Sequence, residues 1–181
     1  MHPLQNPEMK NLFTTVSFFY ILFSSSGQGP EIKSMVDSLR FINADTLNCK
    51  ADLYWRIIAK GKVAIPFLIE KLADTTPTNI KYHCKKARLN VAEVAHFALT
   101  QIAEFPAYVV TKIQFDIFNN AGCWIFYDYL FNNANKAAYK KSVQDWYAKQ
   151  KENYRLKRIS IKYQTGCQKL FGIKAYYRWK G

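Results

Sequence analysis

The chain has 181 residues, with 26 Lys and Arg against 13 Asp and Glu, a formal net charge of +13, and 49% apolar and 16% aromatic residues. That composition is a globule's and excludes an intrinsically disordered chain. The charge is uneven: from Lys149 to Gly181 ten Lys and Arg face a single acid, Glu152, which gives +9 of the +13, a field that attracts anionic partners.

In chain order, Lys10 precedes an apolar run, Leu12 to Phe23, and then a block of small residues, Ser24 to Gly27. Positive, apolar and then small is the layout of a secretory signal peptide. The run spans about a dozen residues, short of the roughly 20 a bilayer requires. Residues 1–27 are thus expected to be cleaved, with Ser25 and Gly27 at the −3 and −1 positions and Gln28 starting the mature chain. The expected location is extracytoplasmic, periplasmic or secreted, with no transmembrane helix after cleavage. Removing 27 of the 181 residues leaves 154, enough for one domain that buries roughly 68–70% of its unfolded surface.

Met35, Leu39 and Ile42 mark one face of a first helix over 31–43. Leu53, Tyr54, Ile57 and Ile58 predict a second, Asp52 to Ala59, broken by Gly61. Ile65, Leu68, Ile69 and Leu72 repeat at helical spacing, with Pro66 tolerable because it falls in the first turn. Thr75 to Asn79 reads as a loop leading into a basic cluster, Lys81, Lys85, Lys86 and Arg88. Asn90 is placed to cap the next helix, whose stripe is Val91, Val94, Ala95, Ala98 and Ile102. After Pro106, Ile113, Phe115 and Ile117 alternate like a strand, yet Val109, Ile113 and Ile117 fit a helix, which the flanking helices favour. Asn119 to Cys123 predicts a turn and Trp124 to Phe131 a short helix. Asn135 is read as the cap of a long helix carrying Tyr139, Val143, Trp146, Tyr147 and Tyr154 on one face. Beyond Arg155 the pattern decays into mixed aromatics and bases, and strand, short helix and flexible arm all stay open.

Helical segments joined by short turns, without βαβ alternation or a strand ladder, predict an all-α domain over 28–154 followed by an irregular basic aromatic tail, 155–181, docked on it. Residues 62–104 resemble one HEAT-type repeat: Pro66 lies early in the first helix, Leu68 and Leu72 on its buried face, Asp74 at the turn, and Ala92, Ala95 and Ala98 where the second helix must approach closely. The loop from Thr75 to Leu89 is longer than that family's usual turn. The resemblance implies a stack of helical hairpins, with the pairs 31–60 and 107–152 as divergent neighbours.

Cys49, Cys84, Cys123 and Cys167 lie 35, 39 and 44 residues apart, with no CxxC. That spacing excludes a local zinc ribbon and leaves up to two disulfides, with three pairings open. Glu93 and His96 form an E-x-x-H, but a di-metal bundle needs a second such pair and further Glu on facing helices, so no metal site is assigned. Cys84 sits among bases that favour a thiolate, yet without a positioned base no catalytic residue is assigned. GxSxG, HExxH, phosphate-loop and dinucleotide motifs are missing from the sequence, and no cofactor is expected.

These readings favour an exported, non-catalytic interaction module with a basic surface for an acidic protein or an anionic envelope component. The surface is assigned to Lys81, Lys85, Lys86 and Arg88, with Arg178, Trp179 and Lys180 second. One alternative is nucleic-acid binding: HEAT-like repeats also scaffold alkylpurine DNA glycosylases, which this chain resembles only in net charge and repeat type. The other is attachment to a membrane surface through the basic aromatic tail.

Overall fold

The computed structural model describes residues 28–114, 118 and 122–181. The segment read as a signal peptide, 1–27, lies outside the described residues, as do Phe115, Asp116, Ile117 and the first part of the Asn119–Cys123 turn.

Helix α1, Gln28–Asp37, runs into a 3-10 turn, Ser38–Phe41, and buries Met35 and Leu39, with Ile42 just beyond. Helix α2, Asp52–Ala59, starts and stops where its apolar spacing places it. Gly61 then adopts φ +61°, a left-handed conformation that glycine takes without a Cβ penalty. Helix α3, Ile65–Lys71, carries Pro66 in its first turn and buries Ile65, Leu68 and Ile69. It packs on α4, Val91–Ile102. Asn90 caps α4 with a full capping box: its side chain accepts from the Glu93 N–H at 3.1 Å, and the Glu93 carboxylate accepts from the Asn90 N–H at 2.9 Å. The long connection between α3 and α4 is not slack. Thr78 and Ile80 exchange backbone hydrogen bonds with Leu89, and all three are buried.

Helix α5, Ala107–Thr111, ends sooner than the apolar spacing suggests, because Lys112 turns into the left-handed region at φ 63°. Helix α6 spans Phe126–Phe131 and α7 spans Lys136–Gln150. Asn135 stands at the start of α7 but does not cap it. Its amide donates to the Tyr129 carbonyl at 3.0 Å, while Asn132 accepts from the Ala134 N–H and opens a 3-10 turn, Asn133–Asn135. The core gathers Leu39, Ile57, Leu68, Leu72, Leu99 and Val143, each with no exposed surface. Among the described residues no helix is long and apolar enough to cross a membrane.

The all-α expectation is overturned after Asn153. Strand β1, Tyr154–Arg158, pairs antiparallel with β2, Ala175–Trp179, from Tyr154 opposite Trp179 to Arg158 opposite Ala175. The tail is therefore an ordered part of a mostly helical, mixed fold. Its ribbon is fastened to the helices: the Glu104 N–H donates to the Tyr177 carbonyl at 2.9 Å, the Tyr154 hydroxyl donates to the Glu104 carbonyl at 2.7 Å, and Trp179 meets Trp146 edge-on at 4.9 Å. Between the strands lie a 3-10 turn, Ile161–Tyr163, and helix α8, Gly166–Leu170, which Thr165 and Gln168 start with a second capping box.

All four cysteines are paired. Cys49 joins Cys167, tying the turn before α2 to α8, and Cys84 joins Cys123, tying the basic loop to the approach to α6. The Cα separations of 4.9 and 5.7 Å are ordinary for disulfides.

Candidate functional site

The two basic clusters meet different fates. In the first, Lys81, Lys86 and Arg88 are exposed, but Lys85 turns inward. Its ammonium donates to both carboxylate oxygens of Glu93, at 2.8 and 2.7 Å. Lys136, at the first residue of α7, reaches the same carboxylate at 2.9 Å and also donates to the Leu130 carbonyl. Glu93 has no exposed surface and Lys136 only 2%. A buried carboxylate is tolerable only when charged or polar groups surround it, and here two ammonium groups and the Asn90 N–H do so. Burial holds the Lys136 ammonium below its ordinary range, Glu93 opposes that shift, and Lys85 adds to it. Arg88 is partly spent as well, on the Asn79 carbonyl.

One turn along α4, His96 is buried against Phe126 and shares a 2.9 Å hydrogen bond with the Tyr139 hydroxyl through Nδ1. Burial first, and the Lys136 charge second, lower its pKa to about 3, so the ring is neutral at physiological pH. Burial also pushes the Tyr139 phenol up. The E-x-x-H pair is thus employed separately, Glu93 on lysines and His96 on a tyrosine. His83, Cys84 and Cys123 bring their donor atoms within 4.8 Å of one another, but both sulfurs are committed to the disulfide. That bond also replaces the thiolate contemplated at Cys84.

In the second cluster, Arg178 is exposed and lies 3.7 Å from Glu104, Trp179 is half-buried and donates to Gln150 at 3.2 Å, and Lys180 is exposed. These three sit at one end of the ribbon and beyond it. The broader basic surface continues through Arg155, Lys157, Arg158, Lys162, Lys169 and Lys174, all exposed and, among the described residues, none in a salt bridge. Arg155 stands directly opposite Arg178 across the ladder, an arrangement that costs stability unless an anion or solvent screens it.

The insertion between the strands shapes a cavity of about 640 Å³, lined among others by Arg158, Ile159, Ile161, Gln168, Lys169 and Lys174. Local geometry builds it. The Ile159 N–H to Lys174 carbonyl bond, 2.8 Å, continues the ladder one step, after which the chain swings out through the 3-10 turn and back through α8. Gly172, at φ +67°, turns the chain out of α8, and the buried Ile173 returns it to the ladder. Cys167 and a stacked Phe171–Trp55 pair hold α8 against the helices.

Sequence reasoning missed Arg158, Lys169 and Lys174 as a group, because the strand pairing that gathers them spans the whole insertion. It also missed the Glu93–Lys136 pair, although an Asn-x-x-Glu capping box was readable in Asn90 and Glu93. No family model matches the chain, and no curated protein and no solved structure matches it.

Proposed function

We propose that this protein is a non-catalytic, extracytoplasmic binding protein that docks on an anionic surface through its basic C-terminal lobe, residues 154–181. The observation that carries the reading is the charge of that lobe: eight Lys and Arg and no acidic side chain from Arg155 to Lys180, on a ribbon fastened to the helices rather than free. Among the described residues only Arg178 of these cations forms a salt bridge, with Glu104, while Arg155 donates to the Glu152 and Tyr154 carbonyls. An anionic partner gains roughly 1 kcal/mol for each Lys or Arg brought near such a surface.

Two disulfides suit an oxidising compartment, where such bonds persist. The signal-like order of residues 10–27 supports the same address. A non-catalytic role is supported by how the reactive side chains are used: Glu93 and His96 serve internal bonds, and Cys84 is in a disulfide. The HEAT-type likeness of residues 62–104 concerns α3 and α4 alone and does not bear on the choice of partner. Of the two basic clusters, the reading favours the tail, because Lys85 is occupied by Glu93 and Arg88 by Asn79.

The test is equilibrium binding of the oxidised chain to polyanions, anionic vesicles and polyglutamate, across ionic strength. Binding at low salt that falls steeply as the Debye length shrinks below about 10 Å supports the reading. No binding to any polyanion at low salt overturns it. Tight, sequence-selective binding to duplex DNA would instead favour the nucleic-acid alternative.

A further inference from the structure

Four large apolar side chains are left exposed within one short segment of the basic lobe: Leu156 at 60%, Ile161 at 76%, Tyr163 at 71% and Leu170 at 69%. A soluble anion gives no reason for them. Single exposed apolar residues are ordinary, but these are interspersed with Lys157, Arg158, Lys162 and Lys169, and Ile161 lines the cavity between β1 and β2, with Leu170 next in sequence to its Lys169. Apolar side chains among cations are the chemistry of an interfacial membrane contact, in which rings and aliphatics enter the headgroup boundary and cations meet phosphates.

The cavity has the matching interior. Arg158, Lys169 and Lys174 supply three positive groups with no acid among its lining residues. Gln168 already accepts from the Thr165 N–H through its amide oxygen at 3.0 Å, which leaves its NH₂ end as the available donor. Ile159 and Ile161 form an apolar wall. Guanidinium and ammonium groups beside amide donors suit a phosphate. The Cys49–Cys167 bond anchors α8, which carries Lys169, to the turn before α2.

We infer that this cavity receives the phosphate headgroup of an anionic membrane phospholipid, with Ile161 and Leu170 seated in the bilayer interface beside it. The inference rests on the proposed anionic docking and narrows it to one source and one subsite. The apolar rim selects a lipid over a soluble phosphate, which would gain nothing from it.

The experiment uses the full, oxidised chain and vesicles of phosphatidylcholine with and without phosphatidylglycerol. Arg158→Gln, Lys169→Gln and Lys174→Gln are combined in one variant, and Lys81→Gln, Lys86→Gln and Arg88→Gln in a charge-matched control. All six positions are exposed, and far-UV circular dichroism checks that both variants stay folded. The cavity variant is expected to lose on the order of 100-fold in partition onto anionic vesicles, and the control distinctly less. Ile161→Ser with Leu170→Ser is expected to lose on the order of 10-fold with an unchanged salt dependence, and millimolar glycerol phosphate to displace little protein. Equal losses in the cavity and control variants would overturn the subsite while leaving anionic docking intact. Strong displacement by glycerol phosphate, with no effect of the serine substitutions, would overturn the lipid source in favour of a soluble phosphate. Binding to polyglutamate but to no vesicle would overturn the inference alone, and binding to neither would remove the proposed function with it.

Discussion

Replacing Glu93 with Gln removes one charge from the centre of the molecule and little else. The amide keeps the size of the side chain and an oxygen that accepts from the Asn90 N–H, so the capping box survives in outline. The Lys85 and Lys136 ammonium groups, at 2.7 and 2.9 Å from the native carboxylate, then face each other with no counter-charge. Breaking a buried ion pair by removing one partner costs about 3–5 kcal/mol, which for a domain of this size lowers Tm by on the order of 10 °C. The loss has a signature that separates it from loose packing. Without the carboxylate, burial and the Lys85 charge both push the Lys136 pKa down, so the unfolded chain binds more protons than the folded one. Stability of Glu93→Gln therefore rises with pH relative to the parent. Adding Lys136→Met should recover part of the loss, since an apolar replacement of a buried pair is often neutral. The assay is urea unfolding of the three proteins at pH 6 and pH 9. A Glu93→Gln variant within about 0.5 kcal/mol of the parent, the ordinary range for surface substitutions, would refute the reasoning, as would a loss that does not vary with pH.

His96 is predicted to make the fold acid-sensitive. Its folded pKa of about 3 lies below the ordinary 6.5, so its contribution is complete above pH 6.5 and is lost as pH falls towards 3, by about 1.4 kcal/mol per unit; His96→Gln, followed by urea unfolding between pH 7 and 4, should flatten that slope. Replacing Cys49 and Cys167 with Ser opens a loop of 118 residues, within which Cys84–Cys123 already closes 39, so the expected loss is about 4–5 kcal/mol from chain entropy. Limited trypsin digestion of that variant should cut the basic lobe first. Tyr154→Phe removes the hydroxyl that donates to the Glu104 carbonyl and accepts from Trp146 Nε1 at 3.2 Å, and should cost about 1–3 kcal/mol by thermal unfolding.

Much of the helical part was legible because its signals are local. The bounds of α2 and the Asn90 cap of α4 follow from apolar spacing and from a capping residue a few positions away. The ribbon was not legible, because its burial does not follow its hydrophobicity. Tyr154 is buried, yet Leu156, two residues on and on the same side of the strand, is 60% exposed, so the alternation that announces a strand is missing. Its partner strand is also remote in sequence, and only tertiary contacts such as Glu104 to Tyr177 select the pairing. Lys85 illustrates the same limit for the site. In sequence it is one base in a basic cluster, and only the path of the loop before α4 turns it towards Glu93, where α7 brings Lys136 as well. The three cations of the cavity are brought together by an antiparallel return that composition alone does not reveal.

The most direct test of the central claim compares the two basic clusters in one titration. The parent, a variant with all cations from Arg155 to Lys174 replaced by Gln, and a variant with Lys81, Lys86 and Arg88 replaced by Gln are titrated with anionic vesicles at low and high salt. The account predicts that only the tail variant loses both the binding and its salt dependence. Retained binding in the tail variant, with loss in the loop variant, would contradict it and move the docking surface to the loop that carries Cys84.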